Sequence, residues 1–396
     1  MGDIVNMLVT TSTPSSPSSA GHVLALLRAA GPLTRFELQE RVGLSRVTLV
    51  ERLDVLRSLG LVRQAGHRKS SGGRRAEVLE VNDTGRTALV ADLGQSHATL
   101  AVVDLRGTVF AREDHRLPMR HSPREIVPVL LDAGRKLLRR TERADTLCAM
   151  ALSVPGQIDH ERGVTVAPPT MPDWNGAPLR APFAAALGVP VLLENDANAL
   201  ALGDFCALGR PDVTLVGVKV GTGIGAGVVI SGRVHRGKSG SAGEIGHMRI
   251  EGSQQQCSCG RRGCVAASAS GQALTRDLQP LGVRTVADVV RLVDEGRSDA
   301  IRATEKAGRL VGAVVATMVS IVDPTYVRVG GAVGVLPPFL EGLRRTVEAN
   351  AHSSALRNLD IGPSQLGENG AFVGLAGLVA DEMLSPATVD AMVAAR

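Results

Sequence analysis

The sequence predicts two folded units: a small helical module that ends in a β-hairpin, and a larger α/β domain built from two lobes. Three observations carry this prediction. The chain has 396 residues, 44% of them hydrophobic, which is enough for more than one core. Its first eighty residues alternate helix signals with turn signals and end on two apolar strands. From Asp83 onward, β-rich segments alternate with helical ones, as they do in α/β domains.

The basic residues are concentrated near the N-terminus. Residues 1–86 contain twelve Lys or Arg and eight Asp or Glu, whereas the rest of the chain contains 32 and 31. This asymmetry favours a polyanionic partner for the N-terminal fifth. No apolar run approaches the roughly 18–20 residues of a membrane-spanning helix, and no secretion signal pattern is present. We therefore expect a cytoplasmic protein without a membrane partner.

Local signals place three helices after a leader. Residues 1–20 are expected to be a disordered leader, because residues 10–20 are rich in Ser, Thr and Pro. The first helix follows and ends at Gly31-Pro32. The second opens with a capping-box pattern at Thr34–Glu37. The third follows Gly43, with Ser45 as its N-cap.

The third helix and the hairpin are predicted from apolar spacing. Apolar residues recur every three positions along the helix, at Val47, Val50, Leu53, Leu56 and Leu59. Leu61 and Val62 then lead into the basic segment 63–75, and apolar residues in 78–81 form the returning strand.

Three helices and a hairpin within about sixty residues indicate a winged helix-turn-helix, which we place at residues 21–83. In that motif the third helix enters the major groove of DNA with its N-terminus first, and the hairpin can reach the phosphates. The side chains predicted to contact duplex DNA are Ser45, Arg46, Thr48, Leu49, Arg52, Arg68, Lys69, Arg74 and Arg75. A solvated three-helix bundle with a basic loop is the alternative.

Residues 84–396 are predicted to form the α/β domain. Long helices are expected at Pro123–Arg143 and Asp299–Val322. Six segments have the composition of strands: 87–94, 97–107, 146–156, 189–196, 214–221 and 226–232.

Three of the five cysteines lie within eight residues, at Cys257, Cys259 and Cys264. Five cysteines are too few for a disulfide scaffold in a chain of this length, whereas this density favours a metal site. His247 completes a set of one imidazole and three thiolates within segment 243–264, and tetrahedral Zn²⁺ prefers such ligands. We therefore expect a structural zinc ion, with three reduced structural cysteines as the alternative.

The segments Gly243–His247 and Cys257–Cys264 closely resemble the signature of the ROK family, which contains repressors, uncharacterised reading frames and sugar kinases. Other segments resemble that family in the same order: Pro155-Gly156 with Ile158-Asp159, Pro172–Asn175, Glu194–Asn198, Val220–Gly227, Asp323-Pro324 and Gly330-Gly331. The resemblance covers nearly the whole chain. It implies an actin-like, ribonuclease H-like fold of two lobes, a hexose or amino-sugar ligand, structural zinc, and homodimers or homotetramers.

The resemblance also implies roles for individual residues. Asn195 and Asp196 would contact the sugar, and Asp196 would be the catalytic base that accepts the hydroxyl proton in kinase members. Glu244 and His247 would complete the sugar contacts. A helix cap for Asp196 and an ordinary surface acid for Glu244 are the alternatives. The second phosphate loop would contain Gly221, Thr222, Gly223 and Gly225.

Two positions depart from the kinase pattern. Kinase members begin this domain with Asp-x-Gly-Gly-Thr, whose small residues let nucleotide phosphates approach the backbone. Here the loop contains Asp92, Gly94, Gln95 and Ser96, so a long side chain stands where the second glycine leaves space. Ala266 stands where a further glutamate of the family contacts the sugar. We therefore expect neither ATP nor Mg²⁺ as a cofactor.

Taken with the basic N-terminal module, the resemblance implies a sequence-specific DNA-binding repressor of carbohydrate metabolism. A sugar or phosphosugar bound in a degenerate kinase domain would control it, and the chain would not be an enzyme. Its partners would be double-stranded DNA, the effector and other copies of the chain. Because Asp196 and the second phosphate loop are intact, an active or bifunctional hexose or amino-sugar kinase is the alternative.

Overall fold

The computed structural model describes residues 16–68, 75–95, 97–117, 121–166, 168 and 171–396. Within these residues, a small N-terminal head precedes two lobes, each built on a five-stranded sheet. Three residues predicted from the sequence as site residues, Lys69, Arg74 and Ser96, lie outside the described residues, as do residues 1–15 of the expected leader.

The head contains three helices and a three-stranded antiparallel sheet in the order β1-β3-β2. Its elements are α1 (Ala20–Ala30), β1 (Leu33–Thr34), α2 (Arg35–Val42), α3 (Arg46–Ser58), β2 (Val62–Arg68) and β3 (Ala76–Val81). Each helix begins where a hydroxyl side chain accepts a hydrogen bond from a backbone N–H of the first turn. These caps are Ser19, Thr34 and Ser45, and Thr34 forms a full capping box with Glu37.

The buried face of α3 differs from the predicted one. Leu49, Leu53 and Leu56 are buried in the head core, a spacing of four and three residues that keeps one face of a helix inward. Val47, predicted to belong to the apolar stripe, is 69% exposed. Leu49, predicted to contact DNA, is 1% exposed, so its side chain packs in the core and does not reach a groove.

The first lobe contains a sheet with the strand order β10-β7-β4-β5-β6. The strands β4, β7 and β10 run parallel, and β5 and β6 extend the sheet as an antiparallel meander. The strands are β4 (Thr87–Leu93), β5 (Ala98–Asp104), β6 (Val109–His115), β7 (Leu147–Val154) and β10 (Val191–Asn195). The other elements are α4 (Pro123–Arg140), α5 (Arg180–Leu187) and the hairpin of β8 (Gln157–Asp159) and β9 (Val164–Val166).

The second lobe repeats this topology. Its strand order, β13-β12-β11-β14-β15, again joins an antiparallel meander to two parallel strands. The strands are β11 (Thr214–Val220), β12 (Ile224–Ile230), β13 (Arg233–Val234), β14 (Tyr326–Gly330) and β15 (Asp360–Pro363). The helices are α7 (Val265–Ala269), α8 (Gly271–Asp277), α9 (Val286–Asp294), α10 (Ser298–Val322), α11 (Pro337–Asn350) and α12 (Ser353–Leu356).

Short 3₁₀ turns complete the described chain, at Ala144–Thr146, Pro172–Trp174, Ile245–His247, Gln279–Leu281 and Gly367–Asn369. All six predicted strand segments and both predicted long helices are present. The helices differ from prediction only at their ends, as Pro123–Arg140 and Ser298–Val322.

Two helices cross between the sheets. The helix α6 (Asp196–Leu208) follows the first sheet but packs on β11 and β12 of the second, and α13 (Gly370–Met383) follows the second sheet but packs on β4 and β7 of the first. A Cβ added to Gly203 would lie 2.0 Å from the Gly370 oxygen. A Cβ added to Gly374 would lie 1.9 Å from the Ala199 oxygen, so only glycine permits this crossing.

The head packs against the C-terminal helices. The last helix, α14 (Pro386–Ala394), lies against α1, and the Gly21 N–H donates to Asp390 Oδ1 at 2.8 Å. Arg28 of α1 forms an ion pair with Asp381 of α13 at 2.7 Å. The apolar residues of the head, the first sheet, α13 and α14 form one continuous buried cluster. The predicted domain boundary after residue 83 lies between β3 and β4. The buried apolar cluster contains residues from both sides of this boundary.

Of the described helices, none alone is long and apolar enough to cross a membrane; one pair passes the length and composition criteria together, Gly367–Met383 with Pro386–Ala394, and it is bent by 53°.

Candidate ligand cleft, metal cluster and DNA-binding surface

A cleft of about 1840 Å³ lies between the two lobes. Its floor contains residues from the carboxyl ends of strands in both sheets: Asp92 of β4, Asn195 of β10, Lys219 of β11 and Gly330 of β14. Ligands of open α/β sheets bind at these strand ends, because the loops that follow them supply polar groups. The individual sugar and phosphate residues predicted from the sequence, so far as the structure describes them, therefore meet in one place, whereas the segment Pro172–Asn175 does not line the cleft.

Asn195 is the N-cap of α6. Its Oδ1 accepts hydrogen bonds from the N–H groups of Ala197 at 2.8 Å and Asn198 at 3.1 Å. Its Nδ2 donates to the Gly156 oxygen at 3.0 Å. Asn195 therefore fixes the start of α6 relative to the Gly156 loop. The helix cap that the sequence offered as an alternative role for Asp196 belongs to this neighbour instead.

Asp196 is the first residue of α6 and forms an ion pair that the sequence analysis did not identify. Lys219 Nζ lies 2.9 Å from Asp196 Oδ2 and 3.9 Å from Asp92 Oδ1. Asp92 also accepts a hydrogen bond from the Ser153 hydroxyl. The one signal in the sequence was a lysine inside an otherwise apolar strand, β11.

Glu244 and His247 line the same cleft from a loop of the second lobe, and both are half-buried. Burial raises the pKa of Glu244, and the charge of Asp196 raises it further. Burial lowers the pKa of His247, and Arg261 adds to the effect. A neutral imidazole has one nitrogen free to bind a metal and one N–H to donate, which suits the two predicted roles of His247.

Glu194, which precedes Asn195, is a fully buried carboxylate with a complete set of partners. Both Nε (2.8 Å) and Nη2 of Arg236 donate to its Oε2. Its Oε1 accepts from the Asn195 N–H and from Asn198 Nδ2, each at 2.9 Å. Glu194 is in β10 of the first sheet, and Arg236 follows β13 of the second sheet. This ion pair therefore joins the two lobes beside the cleft.

The two predicted phosphate loops line the same part of the cleft. The Gly94 N–H donates to the His97 oxygen at 2.8 Å, and a Cβ added to Gly94 would lie 2.5 Å from His97 Cε1, so the imidazole covers Gly94. The amide nitrogen of Gln95 lies 4.0 Å from the Cβ position of Gly223 in the opposite loop. Side chains therefore occupy space between the loops that nucleotide phosphates need.

The second loop is a tight turn between β11 and β12 that packs on α8. The Gly221 N–H donates to the Gly223 oxygen at 3.0 Å. The first N–H groups of α8, from Gly271 and Gln272, donate to the carbonyls of Gly221 and Thr222. Gly225, the remaining predicted member of this loop, is already in β12 and pairs with Lys219 across the sheet.

His247, Cys257, Cys259 and Cys264 form a cluster whose ligand atoms all lie within 4.8 Å of one another. Cys257 Sγ is 3.5 Å from His247 Nδ1, and Cys259 Sγ is 3.7 Å from Cys264 Sγ. One imidazole and three thiolates at these separations can surround a single ion, and this donor set fits Zn²⁺. The cluster adjoins the cleft, because His247 lines both.

The described residues that are predicted to contact DNA differ in their exposure and in their partners within the head. Ser45 and Arg46 are exposed at the start of α3, with Thr48 half-exposed beside them. Arg46 makes no ion pair with any residue that the structure describes. Arg75 is exposed immediately before β3, the returning strand of the hairpin.

Arg52 and Arg68 already have partners within the head. Arg52 Nε donates to the Ser18 oxygen at 3.0 Å, and Arg68 forms an ion pair with Glu37 at 2.7 Å. Both are exposed or half-exposed, so these contacts compete with DNA phosphates for the guanidinium groups.

Comparison with known proteins identifies relatives along most of the chain. The ROK family model matches residues 89–382. The xylose repressor of Bacillus subtilis (strain 168) is 29% identical over 363 residues, which cover 90% of this chain and 94% of the repressor.

Two solved structures show the same fold. The crystal structure of a ROK family transcriptional regulator, a homologue of the E. coli MLC protein, matches with a TM-score of 0.77 at 23% identity, covering 94% of this chain and 97% of that one. The ROK hexokinase of Thermus thermophilus matches with a TM-score of 0.61 at 31% identity, covering 73% of this chain and 96% of the hexokinase. The expected two-lobed sugar-kinase-like fold is confirmed.

Replacing Arg236 with Met should destabilise the folded chain. The change leaves the Glu194 carboxylate fully buried without its guanidinium, and breaking one side of a buried pair costs about 3–5 kcal/mol. The urea midpoint, measured by circular dichroism, should fall accordingly. Arg233→Met, at an exposed arginine of β13, is the matched control and should unfold near the wild-type midpoint. Equal midpoints for the two variants would contradict the structural importance of the pair.

Replacing Cys259 with Ser should remove metal from the cluster. A thiolate ligand is lost, so the zinc content measured by mass spectrometry should fall from about one ion per chain, and the melting temperature should fall with it. Cys206→Ser is the control, because Cys206 is outside the cluster. Unchanged zinc content in Cys259→Ser would reject this ligand assignment.

Proposed function

The chain belongs to the ROK family, and from that premise we propose that it is a repressor that binds duplex DNA through its head and senses a sugar, without phosphorylating it, in the cleft between its lobes. The observation that carries the proposal is the continuous core that joins the head to the first lobe through α13 and α14. A module that only anchored the chain would need no such connection to the cleft.

DNA recognition is assigned to the start of α3 and to the basic hairpin. Ser45, Arg46 and Thr48 lie at the N-terminus of the third helix, the end that enters the major groove in helix-turn-helix proteins. Arg46 is the strongest candidate for a base contact, because it is exposed and has no competing carboxylate among the described residues. Arg68 and Arg75 are suited to phosphate contacts, and so by their charge are Lys69 and Arg74, which lie outside the described residues.

Sugar binding is assigned to the cleft floor. Asp196 and Glu244 offer acceptors for sugar hydroxyls, and Asn195 holds the backbone of that corner in place. The similarity to a xylose repressor makes xylose the first ligand to test, followed by hexoses, amino sugars and their phosphates. Gln95 between the phosphate loops and Ala266 in place of the usual glutamate support sensing over catalysis.

A structural zinc ion is assigned to His247, Cys257, Cys259 and Cys264. All four tetrahedral positions would be taken by protein, so the ion would stabilise the loop and not activate water. With His247 Nδ1 facing the thiols, the ring must carry its proton on Nε2, which is then a donor for a sugar hydroxyl. The ion would thereby fix the orientation of a ligand contact.

The coupling between cleft and head is assigned to α13 and α14. Ala371 and Phe372, in the first turn of α13, line the cleft, and the far end of α13 leads into α14, which packs on α1. A ligand that binds one arrangement of the lobes more tightly shifts the population of head positions with it. In a homodimer or homotetramer this would change the spacing of two heads, to which paired DNA half-sites respond.

DNA binding should depend steeply on salt and on Arg46. With duplexes selected from a random-sequence library by the full-length protein, fluorescence anisotropy should show affinity falling as salt rises, because phosphate contacts release counterions. Arg46→Ala should cost about 1–3 kcal/mol if the side chain contacts a base, whereas a lower salt slope would indicate a phosphate contact. Arg297→Ala, an exposed arginine of the second lobe, is the charge-matched control. Salt-independent binding would refute the assigned interface.

Asp196→Asn should separate sensing from DNA binding. The substitution removes a charged acceptor from the cleft but touches nothing in the head, so the effector response should weaken at least tenfold while affinity for DNA without effector stays near wild type. Calorimetry with the sugar panel and anisotropy with DNA measure the two properties on one sample. Asp145→Asn, an exposed carboxylate of the first lobe, is the control. Equal losses in both measurements would reject the division of roles.

A further inference from the structure

The floor of the cleft carries its own cation. Lys219 comes from β11 in the second lobe, and its ammonium group lies 2.9 Å from Asp196 Oδ2 and 3.9 Å from Asp92 Oδ1. Asp92 ends β4 of the first lobe, and Asp196 begins α6. Three elements from both lobes therefore meet at one positive charge, with each of the three side chains about one fifth exposed.

The charge on Lys219 is permanent at physiological pH. Burial alone would lower the pKa of Lys219, but the charges of Asp196 and Asp92 and the hydrogen bond to Asp196 outweigh burial, so the pKa is raised well above its ordinary value. The two carboxylates thus have a counter-ion that is part of the chain itself and that stays charged at physiological pH.

This arrangement does not fit a magnesium–nucleotide complex. Phosphoryl transfer needs Mg²⁺ to bridge phosphate oxygens, and it needs a carboxylate free to orient the attacking hydroxyl. Two neighbouring carboxylates supply oxygen ligands for a hard divalent cation. Here the Lys219 ammonium group lies 2.9 Å from the carboxylate of Asp196 and 3.9 Å from that of Asp92. Gln95 and His97 occupy the neighbouring space between the phosphate loops.

We propose that Lys219 is an internal counter-ion that takes the place of a divalent cation, so that the cleft holds Asp196 oriented toward a sugar without a divalent cation or nucleotide at its floor. Oδ2 of Asp196 lies 2.9 Å from the ammonium group, and because Asp196 lines the cleft, its other oxygen can accept a hydrogen bond from a ligand. The assignment deepens the proposed sensing function and rests on it only for the identity of the ligand. The exclusion of a divalent cation is a property of the chain without bound sugar.

Manganese titration of the full chain tests the proposal. Mn²⁺ has the ligand preferences of Mg²⁺ and is counted directly by electron paramagnetic resonance. Wild-type protein with its zinc retained should bind no Mn²⁺ in the cleft at millimolar concentration. Lys219→Met frees both carboxylates and should bind Mn²⁺ at least tenfold more tightly than wild type, and adding Asp92→Asn should abolish that gain. Lys306→Met, at an exposed lysine of α10, should behave as wild type.

Two outcomes would overturn the assignment. One is Mn²⁺ binding by the wild-type chain that Asp92→Asn abolishes, since the ammonium would then not exclude the metal. The other is a folded Lys219→Met variant, shown by retained zinc and melting temperature, that gains no Mn²⁺ affinity. If Lys219→Met does not fold, the wild-type titration still decides, and Lys219→Arg, which keeps the charge, should stay free of Mn²⁺. Neither measurement involves DNA or sugar, so failure of the proposed function would be seen separately.

Discussion

The close crossing of α6 and α13 is the constraint on which the rest of the structure depends. Each helix leaves one sheet and packs on the other, and their backbones approach to a distance that only Gly203 and Gly374 allow. The two lobes therefore share one interface and cannot separate without breaking it. Because Asp196 is the first residue of α6, the position of the ligand-binding carboxylate is set by the same crossing that positions both sheets.

The head is also connected to this crossing, through α13 and α14. The helix α13 begins at the cleft and ends where its ion pair to Arg28 and the following helix α14 hold α1. Rotation of one lobe about the glycine contact would carry α13 with it, and the continuous apolar core transmits such a displacement better than a flexible linker could. Coupling then needs only two arrangements of the lobes with different affinity for the sugar.

Local signals in the sequence were enough for the helix starts, the strands and the metal cluster, because caps, alternation and dense cysteines act over a few residues. They failed where contacts between residues far apart in the sequence determine which side chains are buried or paired. A repeat of exactly three residues drifts around a helix, so it placed Val47 inward and left Leu49 for DNA, whereas packing buries Leu49. The ion pairs of Lys219 and Glu194 could not be predicted in this way, since their partners Asp196 and Arg236 come from other parts of the chain.

The topology shared with a ROK hexokinase shows that the fold alone does not decide between enzyme and sensor. A kinase consumes its sugar, and much of its binding energy goes into the transition state of transfer. A sensor must keep its ligand and use the binding energy to shift a population, so turnover would work against it. On the proposed assignment, the ammonium group at the floor of the cleft separates the two uses, because it orients Asp196 for recognition while holding one of the oxygens that catalysis needs. On this proposal the response follows the sugar concentration and needs neither a nucleotide nor a divalent cation at the floor of the cleft.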